Sequence, residues 1–327
     1  MVKYSFVLPA YKAHFFKEAI DSILSQTYKD FELIIVNDAS PEDLDSIVKQ
    51  YDDSRIRYYV NKENLGGKDL VAQWNHCLEY AKGDYVILAS DDDVYSSLYL
   101  EKMDELVCKY PDVNVFRPRV QIIDSNGVVT HTFSDAKELM NEVEYMYHWM
   151  MGAIGSGVPY FIFKKIVLLQ YGGFKNFPSA WGSDDATVID LAKNCIAFHS
   201  DVLFSFRMSG NNISSLKNNK QQLRLKLKAY IHFEKWLKYK GMELNDIYNT
   251  DKSNYIRKHH VEFMRGLVQN VLTMSSMSAI ISNLRYICRL ESVSVVRILY
   301  HVSRLLFKRT YVHIKNNNFV SNEYLIC

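Results

Sequence analysis

The sequence contains little cysteine, proline or glycine and no long hydrophobic run. Its five cysteines are widely spaced and include no Cys-x-x-Cys pair, which argues against a disulfide framework or a zinc site and favours a reducing compartment. It has only 6 prolines and 13 glycines, while 48% of its residues are hydrophobic, as in folded globular proteins. No apolar run reaches the roughly 18 residues of a membrane-spanning helix, and residues 1–10 show a strand pattern rather than a signal peptide. We therefore expect a folded cytoplasmic protein.

Charge is nearly balanced overall but differs between the two parts of the chain. The formal net charge is +2. Residues 1–216 contain 20 Lys/Arg and 30 Asp/Glu, whereas residues 217–327 contain 19 and 7. This asymmetry indicates two modules with different partners, an acidic one followed by a basic one.

Hydrophobic periodicity predicts alternating strands and helices over the first 110 residues. The predicted strands cover residues 4–8, 31–36, 56–60 and 85–89, and Pro9 is expected to end the first of them. Helical patterns occupy residues 14–26, the segment after Ser40, residues 68–82 and the segment from Ser96 to about Lys109. Later patterns predict strands within 113–133 and at 160–163. Such alternation with short connections predicts a parallel α/β sheet.

Three adjacent acids, Asp91, Asp92 and Asp93, follow directly after a strand of five apolar residues. Adjacent carboxylates repel one another and cannot be buried unpaired, so we expect them at the carboxyl edge of the sheet. Right-handed crossovers place the carboxyl ends of parallel strands on one side, so segments 9–11 and 37–38 should line the same crevice. An oxygen-preferring divalent cation, Mg2+ or Mn2+, would stabilise the cluster. The alternative is a solvated acidic turn.

A second acidic pair, Asp184 and Asp185, precedes a helical pattern over residues 186–193. The N-terminus of a helix is a favourable place for a carboxylate. The pair is therefore either functional or simply an N-cap residue and its first-turn partner.

In their order and spacing these pieces resemble the family 2 glycosyltransferases, inverting enzymes with the GT-A fold that use nucleotide-diphosphate sugars. The matched stretches are residues 5–11, 19–28, 31–40, 74–85, 91–93, 172–174 and the segment around Asp184. The fold class that this implies is α/β, with a Rossmann-like, mostly parallel sheet flanked by helices and an α-helical C-terminal extension.

The resemblance implies a donor site at the ends of the first strands. Pro9, Ala10 and Tyr11 would line the nucleoside pocket. Asp38 would accept a hydrogen bond from the base, typically uracil, and Lys68 would reach the base or the diphosphate. On the residues alone, Asp38 is equally well a turn residue before Ala-Ser-Pro.

The resemblance also implies roles for the acids. Asp91 would contact the ribose, and Asp92 and Asp93 would hold Mn2+ or Mg2+. Asp184 matches the catalytic base through the Leu-Ala-Lys that follows it, and Asp185 is the alternative. Inversion is a single displacement, so one carboxylate suffices to take the acceptor's proton while a metal ion stabilises the leaving diphosphate.

Three positions depart from the family's pattern. Ser90 stands where the first aspartate of the metal motif is usual, and Ser183 stands where the first acid of the Glu-Asp pair is usual. The sequence Phe206-Arg207 is not followed by the family's histidine. These departures keep open a nucleotide-sugar-binding module that has lost catalysis. A nucleotidyltransferase is the enzymatic alternative, but segment 9–13 is not the Gly- and Arg-rich loop that it would need.

The C-terminal third lies outside the resemblance and is basic and helical. Helical patterns cover residues 223–240, 261–290 and 293–309, and the last carries a basic stripe opposite an apolar side. The stripe consists of Arg297, His301, Arg304 and Lys308. This pattern fits either an anionic membrane interface or packing on the catalytic domain. Nucleic acid is not an expected partner, since no recognition motif accompanies the charge.

We therefore predict a GT-A catalytic domain over residues 1–216 and a basic helical extension over residues 217–327. The expected reaction moves a sugar from a nucleotide-diphosphate sugar, UDP-linked, to a glycan acceptor such as a lipid-linked surface-polysaccharide precursor. The expected location is the cytoplasm, at the inner face of the membrane.

Overall fold

The computed structural model describes residues 2–210 and 219–293, which form two compact units. Among these residues, unit 1 comprises 2–210 with 236–258, and unit 2 comprises 219–235 with 259–293. The basic stripe predicted within residues 293–309 lies outside the described residues. No helix in the described ranges is long and apolar enough to cross a membrane.

Ten strands of the described residues form one mixed sheet in unit 1. The strands are β1 (Tyr4–Ala10), β2 (Phe31–Asn37), β3 (Ile56–Val60), β4 (Tyr85–Leu88), β5 (Val94–Tyr95), β6 (Val115–Ile123), β7 (Val129–Thr132), β8 (Leu139–Met140), β9 (Ile162–Lys164) and β10 (Ile196–Arg207). Eight of them follow the order β3-β2-β1-β4-β9-β6-β10-β5, while β7 pairs with β6 and β8 with β10.

The described part of the chain also contains eleven α-helices. They are α1 (Phe16–Leu24), α2 (Leu44–Val48), α3 (Leu70–Leu78), α4 (Tyr99–Lys109), α5 (Glu142–Met150), α6 (Lys165–Gln170), α7 (Ser183–Leu191), α8 (Lys220–Tyr248), α9 (Asp251–Thr273), α10 (Met277–Ser282) and α11 (Leu284–Ile287). The first helices follow their strands in the order that the sequence predicts. Helices α8 and α9 contribute residues to both units.

The four strands β1 to β4 are parallel, as predicted, but β1 does not end where expected. It runs through Pro9 to Ala10, with Pro9 opposite Val36 of β2, so the prediction that Pro9 ends the strand is wrong. Proline lacks the N–H of a ladder bond and is tolerated where that side of a strand is unpaired. The pairing of β1 with β4 stops at Val7, so the proline breaks no bond there.

The second half of the sheet reverses direction. Strand β9 is antiparallel to both of its neighbours, β4 and β6, whereas β6 and β10 are parallel. The sequence patterns did not predict β10, although it is the longest strand described. Its register against β6 shifts between His199 and Val202 and again before Phe204, and these irregularities break the alternation by which a strand is recognised.

A buried carboxylate ties strands β1, β2 and β3 together at their amino ends. Glu32 accepts hydrogen bonds from the Ser5 hydroxyl at 2.7 Å, from Arg57 Nη1 at 2.7 Å and from the Lys82 backbone N–H at 2.6 Å. Burial opposes ionisation of Glu32, but these three donors outweigh it and lower its pKa. The Ser5 hydroxyl also accepts from the backbone N–H of Gly83, which brings the start of β4 against β1.

Residues 236–258 belong to unit 1 through a buried ionic cluster. Lys240, on α8, is 3% exposed and lies 3.6 Å from Glu142 and 3.5 Å from Asp190. The nearby carboxylates outweigh the burial of Lys240 and raise its pKa. A buried lysine with these partners fixes this half of α8 to the sheet's helical layer.

Gly83→Ala should destabilise unit 1. A Cβ at Gly83 would lie 2.8 Å from the backbone nitrogen of Ser5 and from the carbonyl carbon of Tyr4, and neither atom can move without shifting β1. Such overpacking costs about 1–3 kcal/mol. Urea unfolding followed by tryptophan fluorescence measures the loss, because all four tryptophans lie in unit 1.

Gly241→Ala is the matched control for that measurement. A Cβ at Gly241 would make ordinary contacts, the nearest being 3.4 Å from Ile256, and it lies inside helix α8. Alanine there should raise the free energy of unfolding by about 1 kcal/mol. If both substitutions gave equal stability, Gly83 would not be under the steric constraint described.

Candidate active site

The site begins where the ends of three parallel strands meet. The Oδ2 atom of Asp91 accepts hydrogen bonds from the backbone N–H groups of Tyr11 and Lys12, each at 2.8 Å. The backbone N–H of Asp38 donates to the carbonyl of Ala10 at 2.9 Å. The structure therefore brings the predicted segments after β1, β2 and β4 into one crevice, as strand order requires.

The acids of the triplet differ in environment. Ser90 Oγ lies 3.0 Å from Asp92 Oδ1 and within hydrogen-bond distance of Asp93 Oδ2. A hydroxyl carries one proton, so both contacts are satisfied only when a carboxyl supplies a second one. Burial, and then the charge of Asp92, raises the pKa of Asp93 well above its ordinary value, so Asp93 keeps its proton to a higher pH than an ordinary aspartate does. Burial also raises the pKa of Asp91.

These contacts decide how the triplet fits a metal ion. The described ranges contain no group of three or more His, Cys, Asp or Glu side chains placed to hold a metal. Both oxygens of Asp93 lie in hydrogen bonds, to Ser90 and to the backbone N–H of Arg207. Asp92 is the acid that fits, because Mg2+ is often held by one or two carboxylates together with substrate phosphates. Asp93 fits this role less well than the sequence predicted.

Arg207 supplies a buried positive charge beside the triplet. It is 1% exposed; its backbone N–H donates to Asp93 Oδ1 and its Nε to the carbonyl of Asp92, both at 2.8 Å. Its guanidinium pairs with Glu18 at 2.7 Å and lies 4.2 Å from the ring centre of Phe15. The Phe-Arg motif marked this residue, but no role was predicted for it. Its partner Asp93 lies 114 residues away, and β10 was not predicted.

Asp38 holds a loop rather than standing open at the crevice. Its Oδ1 accepts from Asn61 Nδ2 at 2.7 Å and from the backbone N–H of Leu65 at 2.9 Å, and its Oδ2 accepts from Gly66 N–H at 2.7 Å. A Cβ at Gly66 would lie 2.9 Å from that oxygen, so glycine permits the close approach. The predicted contact to a base would have to share these oxygens with the loop.

Lys68 lies on the surface, in an ion pair with Glu63 at 2.7 Å. Its side chain is 63% exposed, as solvated surface pairs are, and such a pair adds little to stability. The predicted contact of Lys68 with the base or the diphosphate stays a prediction.

The second acidic pair lies inside a helix rather than before one. Helix α7 begins at Ser183, so the predicted start at residue 186 is wrong and both acids occupy the first turn. The backbone N–H of Asp185 donates to Asp184 Oδ1 at 3.0 Å. Burial raises the pKa of Asp184, and burial together with the charge of Asp184 raises that of Asp185 well above its ordinary value.

The segment before α7 is backbone-strained. Ser179 and Ala180 have φ values of 55° and 60°, which residues other than glycine rarely adopt. Gly182 has a φ of 78°. The buried Ser183 hydroxyl accepts from the backbone N–H of Phe177 at 3.0 Å and so closes the turn. Ser183, which stands where the family usually has an acid, therefore helps to close this turn. The strained residues Ser179 and Ala180 lie in the segment that leads to Asp184.

A buried polar cluster adjoins Asp185. Four of its side-chain atoms are fully buried: Arg117 Nη2, Tyr145 Oη, Ser156 Oγ and Asp185 Oδ1. Ser156 interacts with both Tyr145 and Asp185, and Arg117 interacts with Tyr145. Burial raises the pKa of Tyr145, and the charges of Arg117 and Asp185 act on it too, so these groups are neighbours. Arg117 Nη1 donates to the carbonyl of Gly155 at 2.6 Å. The sequence patterns indicate no site at Arg117, Tyr145 or Ser156, because β6, α5 and the loop that carry them meet only in the fold.

One turn connects the two groups of acids. The pKa of the Tyr160 hydroxyl is raised by its burial and then by the negative charge of Asp93, with a further contribution from Asp184. The backbone of Val158 donates a hydrogen bond to Asp184, and the Tyr95 hydroxyl donates to the carbonyl of Pro159 at 3.2 Å. The triplet and the pair therefore both lie near residues 158–160, close enough to act on one side chain.

Comparisons with known sequences agree with this architecture. Residues 5–166 match the family described as Glycosyl transferase family 2. EpsE of Bacillus subtilis, whose own glycosyltransferase assignment is provisional, is 40% identical over 114 residues, which are 34% of this chain and 40% of EpsE. The chain thus spans less than half the length of this relative.

Two bacterial relatives match over more of their length. WfgD of Escherichia coli, named as a UDP-Glc:alpha-D-GlcNAc-diphosphoundecaprenol beta-1,3-glucosyltransferase, is 25% identical, covering 65% of this chain and 80% of WfgD. A Campylobacter jejuni protein, named as a GalNAc(5)-diNAcBac-PP-undecaprenol beta-1,3-glucosyltransferase, is 27% identical. The match covers 72% of this chain and 74% of that protein.

Solved structures share the fold. Residues 1–349 of Staphylococcus aureus TarS, in complex with UDP-GlcNAc, superpose with a TM-score of 0.63 at 16% identity, covering 90% of this chain and 82% of that one. The mannosyltransferase PcManGT from Pyrobaculum calidifontis, in complex with GDP-Man and Mn2+, superposes with a TM-score of 0.50 at 13% identity. The superposition covers 95% of this chain and 80% of that one. The predicted GT-A fold class, with its helical C-terminal region, is confirmed. The match over residues 5–166 shows that this part of the chain belongs to the family 2 glycosyltransferases, and the sheet order and the crevice at the strand ends agree with it.

Proposed function

We propose that this protein transfers a sugar, with inversion, from a UDP-linked donor to a lipid-linked glycan acceptor. The observation that supports it best is the approach of two groups of acids to one turn, with Asp93 and Asp184 both acting on Tyr160. One group lies where a nucleotide would bind at the strand ends, and the other lies in the first turn of α7. The named relatives WfgD and the Campylobacter protein support a lipid-linked diphosphate acceptor.

The donor would lie against the ends of β1 and β4. Pro9, Ala10 and Tyr11 would line the nucleoside pocket, and Asp91, already fixed by two backbone N–H groups, would meet the ribose. Asp92 would hold Mg2+ or Mn2+ together with donor phosphates, and that ion supplies positive charge for the leaving diphosphate.

The chemical step needs one base. The acceptor hydroxyl would give its proton to Asp184 while its oxygen attacks the anomeric carbon, and the bond from that carbon to the diphosphate oxygen would break. The pKa of Asp185 is raised further than that of Asp184, so Asp185 would stay protonated beside the buried cluster of Arg117, Tyr145 and Ser156.

Residues 1–216 would form the catalytic domain, and the basic extension over 217–327 would keep the protein at the inner face of the membrane. Its excess of Lys/Arg over Asp/Glu, 19 to 7, supports this location. Absence of vesicle binding by the intact protein would contradict it.

The Asp184→Asn and Asp185→Asn variants separate the two acids. If Asp184 is the base, Asp184→Asn should lower kcat by about 10²- to 10⁴-fold, the usual contribution of a general base, and leave UDP binding intact. Asp185→Asn makes the same chemical change one residue away and should retain most activity. Acceptor-dependent UDP release measures both. The opposite ranking would assign the base to Asp185. Wild-type activity in both variants would exclude catalysis by this pair.

The pH dependence of kcat/KM should reflect the burial of Asp184. A base works deprotonated, so activity rises with pH through its pKa, and a raised pKa moves that rise upward. The acid limb should therefore lie above the ordinary aspartate value of about 3.9. UDP affinity measured over the same pH range shows whether the limb reflects binding instead. A limb at the ordinary value would contradict the assignment.

Nucleotide binding is tested by thermal unfolding with and without manganese. A ligand that binds the folded state at about 100 times its Kd adds about 2.7 kcal/mol of stability. UDP should raise the Tm more with manganese than without, and Asp92→Ala should remove that difference. Glu105→Ala, at an exposed carboxylate on α4, is the control. No response to any nucleotide would refute the donor site.

A further inference from the structure

A cluster of cations surrounds one aromatic ring in unit 2. Arg224 and Lys228 on α8 place their charged groups 5.9 Å from the ring centre of Tyr286. Arg285 lies 4.7 Å from the same centre and Arg289 5.9 Å. We call these four cations with their tyrosine the Tyr286 cage. All five residues belong to unit 2, and neither group of acids in the candidate active site belongs to it.

The cage consists of two like-charge pairs at a spacing of four residues. Arg224 and Lys228 form one pair on α8, and Arg285 and Arg289 form the other around α11. Like charges at this spacing destabilise a helix. Cation–π contacts with the tyrosine offset part of that cost. The arrangement keeps four positive charges around a ring that is only 8% exposed.

No carboxylate among the described residues lies within ion-pair distance of the cage. The polar contacts that the structure gives are neutral: Arg285 Nη2 donates to the Tyr286 hydroxyl at 2.9 Å, and Arg224 Nε donates to Asn283 Oδ1 at 3.3 Å. The described residues around the cage therefore supply hydrogen bonds but no countercharge. Because unpaired cations at such distances repel one another, an anion from outside would lower the energy of this group.

Two acids of unit 2 have partners outside the cage. Glu234 accepts backbone hydrogen bonds from Glu291 at 2.8 Å and from Ser292 at 2.7 Å. Glu262 lies 3.9 Å from Arg265 and 4.0 Å from His259. Beyond residue 293 the sequence adds five Lys/Arg and one acid, so the excess of positive charge continues in the sequence.

The pKa of the Tyr286 hydroxyl is affected by the positive charges around the ring. Burial favours the neutral phenol, yet the hydrogen bond and charge of Arg285, with the charges of Lys228 and Arg224, outweigh it and lower the pKa of Tyr286. The field at the ring is therefore strongly positive, in agreement with the distances.

We propose that the Tyr286 cage binds a phosphate group, with Arg224, Lys228, Arg285 and Arg289 as its ligands. Three of the four are arginines, whose planar fork matches phosphate oxygens in pairs, and four cations exceed what one carboxylate would neutralise. Arg285, Arg289 and Lys228 are exposed, so an anion can reach them. The cage belongs to unit 2 and the donor crevice to unit 1, and phosphate binding at the cage does not require the transferase activity. The phosphate comes either from a lipid headgroup at a membrane or from a soluble diphosphate.

Vesicle flotation of the intact protein tests the lipid source. The probes are vesicles of phosphatidylcholine with and without phosphatidic acid. Each Lys or Arg near an anionic surface strengthens vesicle binding about fivefold. Lys228→Gln should therefore weaken vesicle binding about fivefold, and the double variant Arg285→Gln with Arg289→Gln about 25-fold. Lys235→Gln, which removes an exposed lysine from the same helix outside the cage, is the matched control and should have a smaller effect.

Titration with inorganic diphosphate tests the soluble source. Binding that the Arg285→Gln and Arg289→Gln pair weakens, and Lys235→Gln does not, assigns the site to a soluble ligand. Equal losses for Lys228→Gln and Lys235→Gln in both assays, or no binding in either, would overturn the proposal, since the charge would then act diffusely.

A measurement on the unaltered chain guards against variants that fail to fold. Inorganic diphosphate or a short-chain phosphatidic acid should raise the pKa of the Tyr286 hydroxyl, because a bound anion cancels the positive field at the ring. NMR of labelled tyrosine gives that pKa, with Tyr286→Phe identifying the signal. A phenol pKa that neither probe changes would also overturn the proposal.

Discussion

Adjacent carboxylates cannot all be charged in a buried place, and the site depends on how the fold resolves this conflict. Asp91 takes two backbone N–H groups from the end of β1. Asp93 is buried against Ser90 and the backbone of Arg207, and this burial raises its pKa well above the ordinary value. Asp92, 3.0 Å from the Ser90 hydroxyl, is the acid that we propose as a metal ligand. One run of identical residues thus acquires three different environments from three different sets of partners.

The same conflict recurs in α7 with a different solution. Burial raises the pKa of both Asp184 and Asp185, and Asp185 adjoins the buried polar cluster of Arg117, Tyr145 and Ser156. The pKa of Asp185 is raised further, so we infer that the pair keeps its proton on Asp185 and its charge on Asp184. Chemistry that needs one base is compatible with two neighbouring acids when their environments differ in this way.

Charge compensation separates the two units as well. In unit 1, the buried Lys240 lies beside the carboxylates of Glu142 and Asp190. In unit 2, the cations around Tyr286 have neutral partners. The charge asymmetry visible in the sequence is thus not spread evenly over a solvated face. Part of it converges on one ring, a placement that composition cannot reveal because the two like-charge pairs come from α8 and from the turn of α11.

The sequence by itself determined the parallel strands β1 to β4, the meeting of their ends and the acids placed there. These features follow from local periodicity and from the rule that crossovers are right-handed, which needs no long-range information. The resemblance to the family likewise rested on stretches that are contiguous in the chain. Only the tertiary structure decided the extension of β1 through Pro9, the strand β10 and the partners of each acid. Those outcomes depend on which surfaces remain unpaired and on contacts such as that of Arg207 with Asp93, 114 residues apart. Burial sets the pKa of each carboxyl, and burial is a property of the packed fold rather than of the residue.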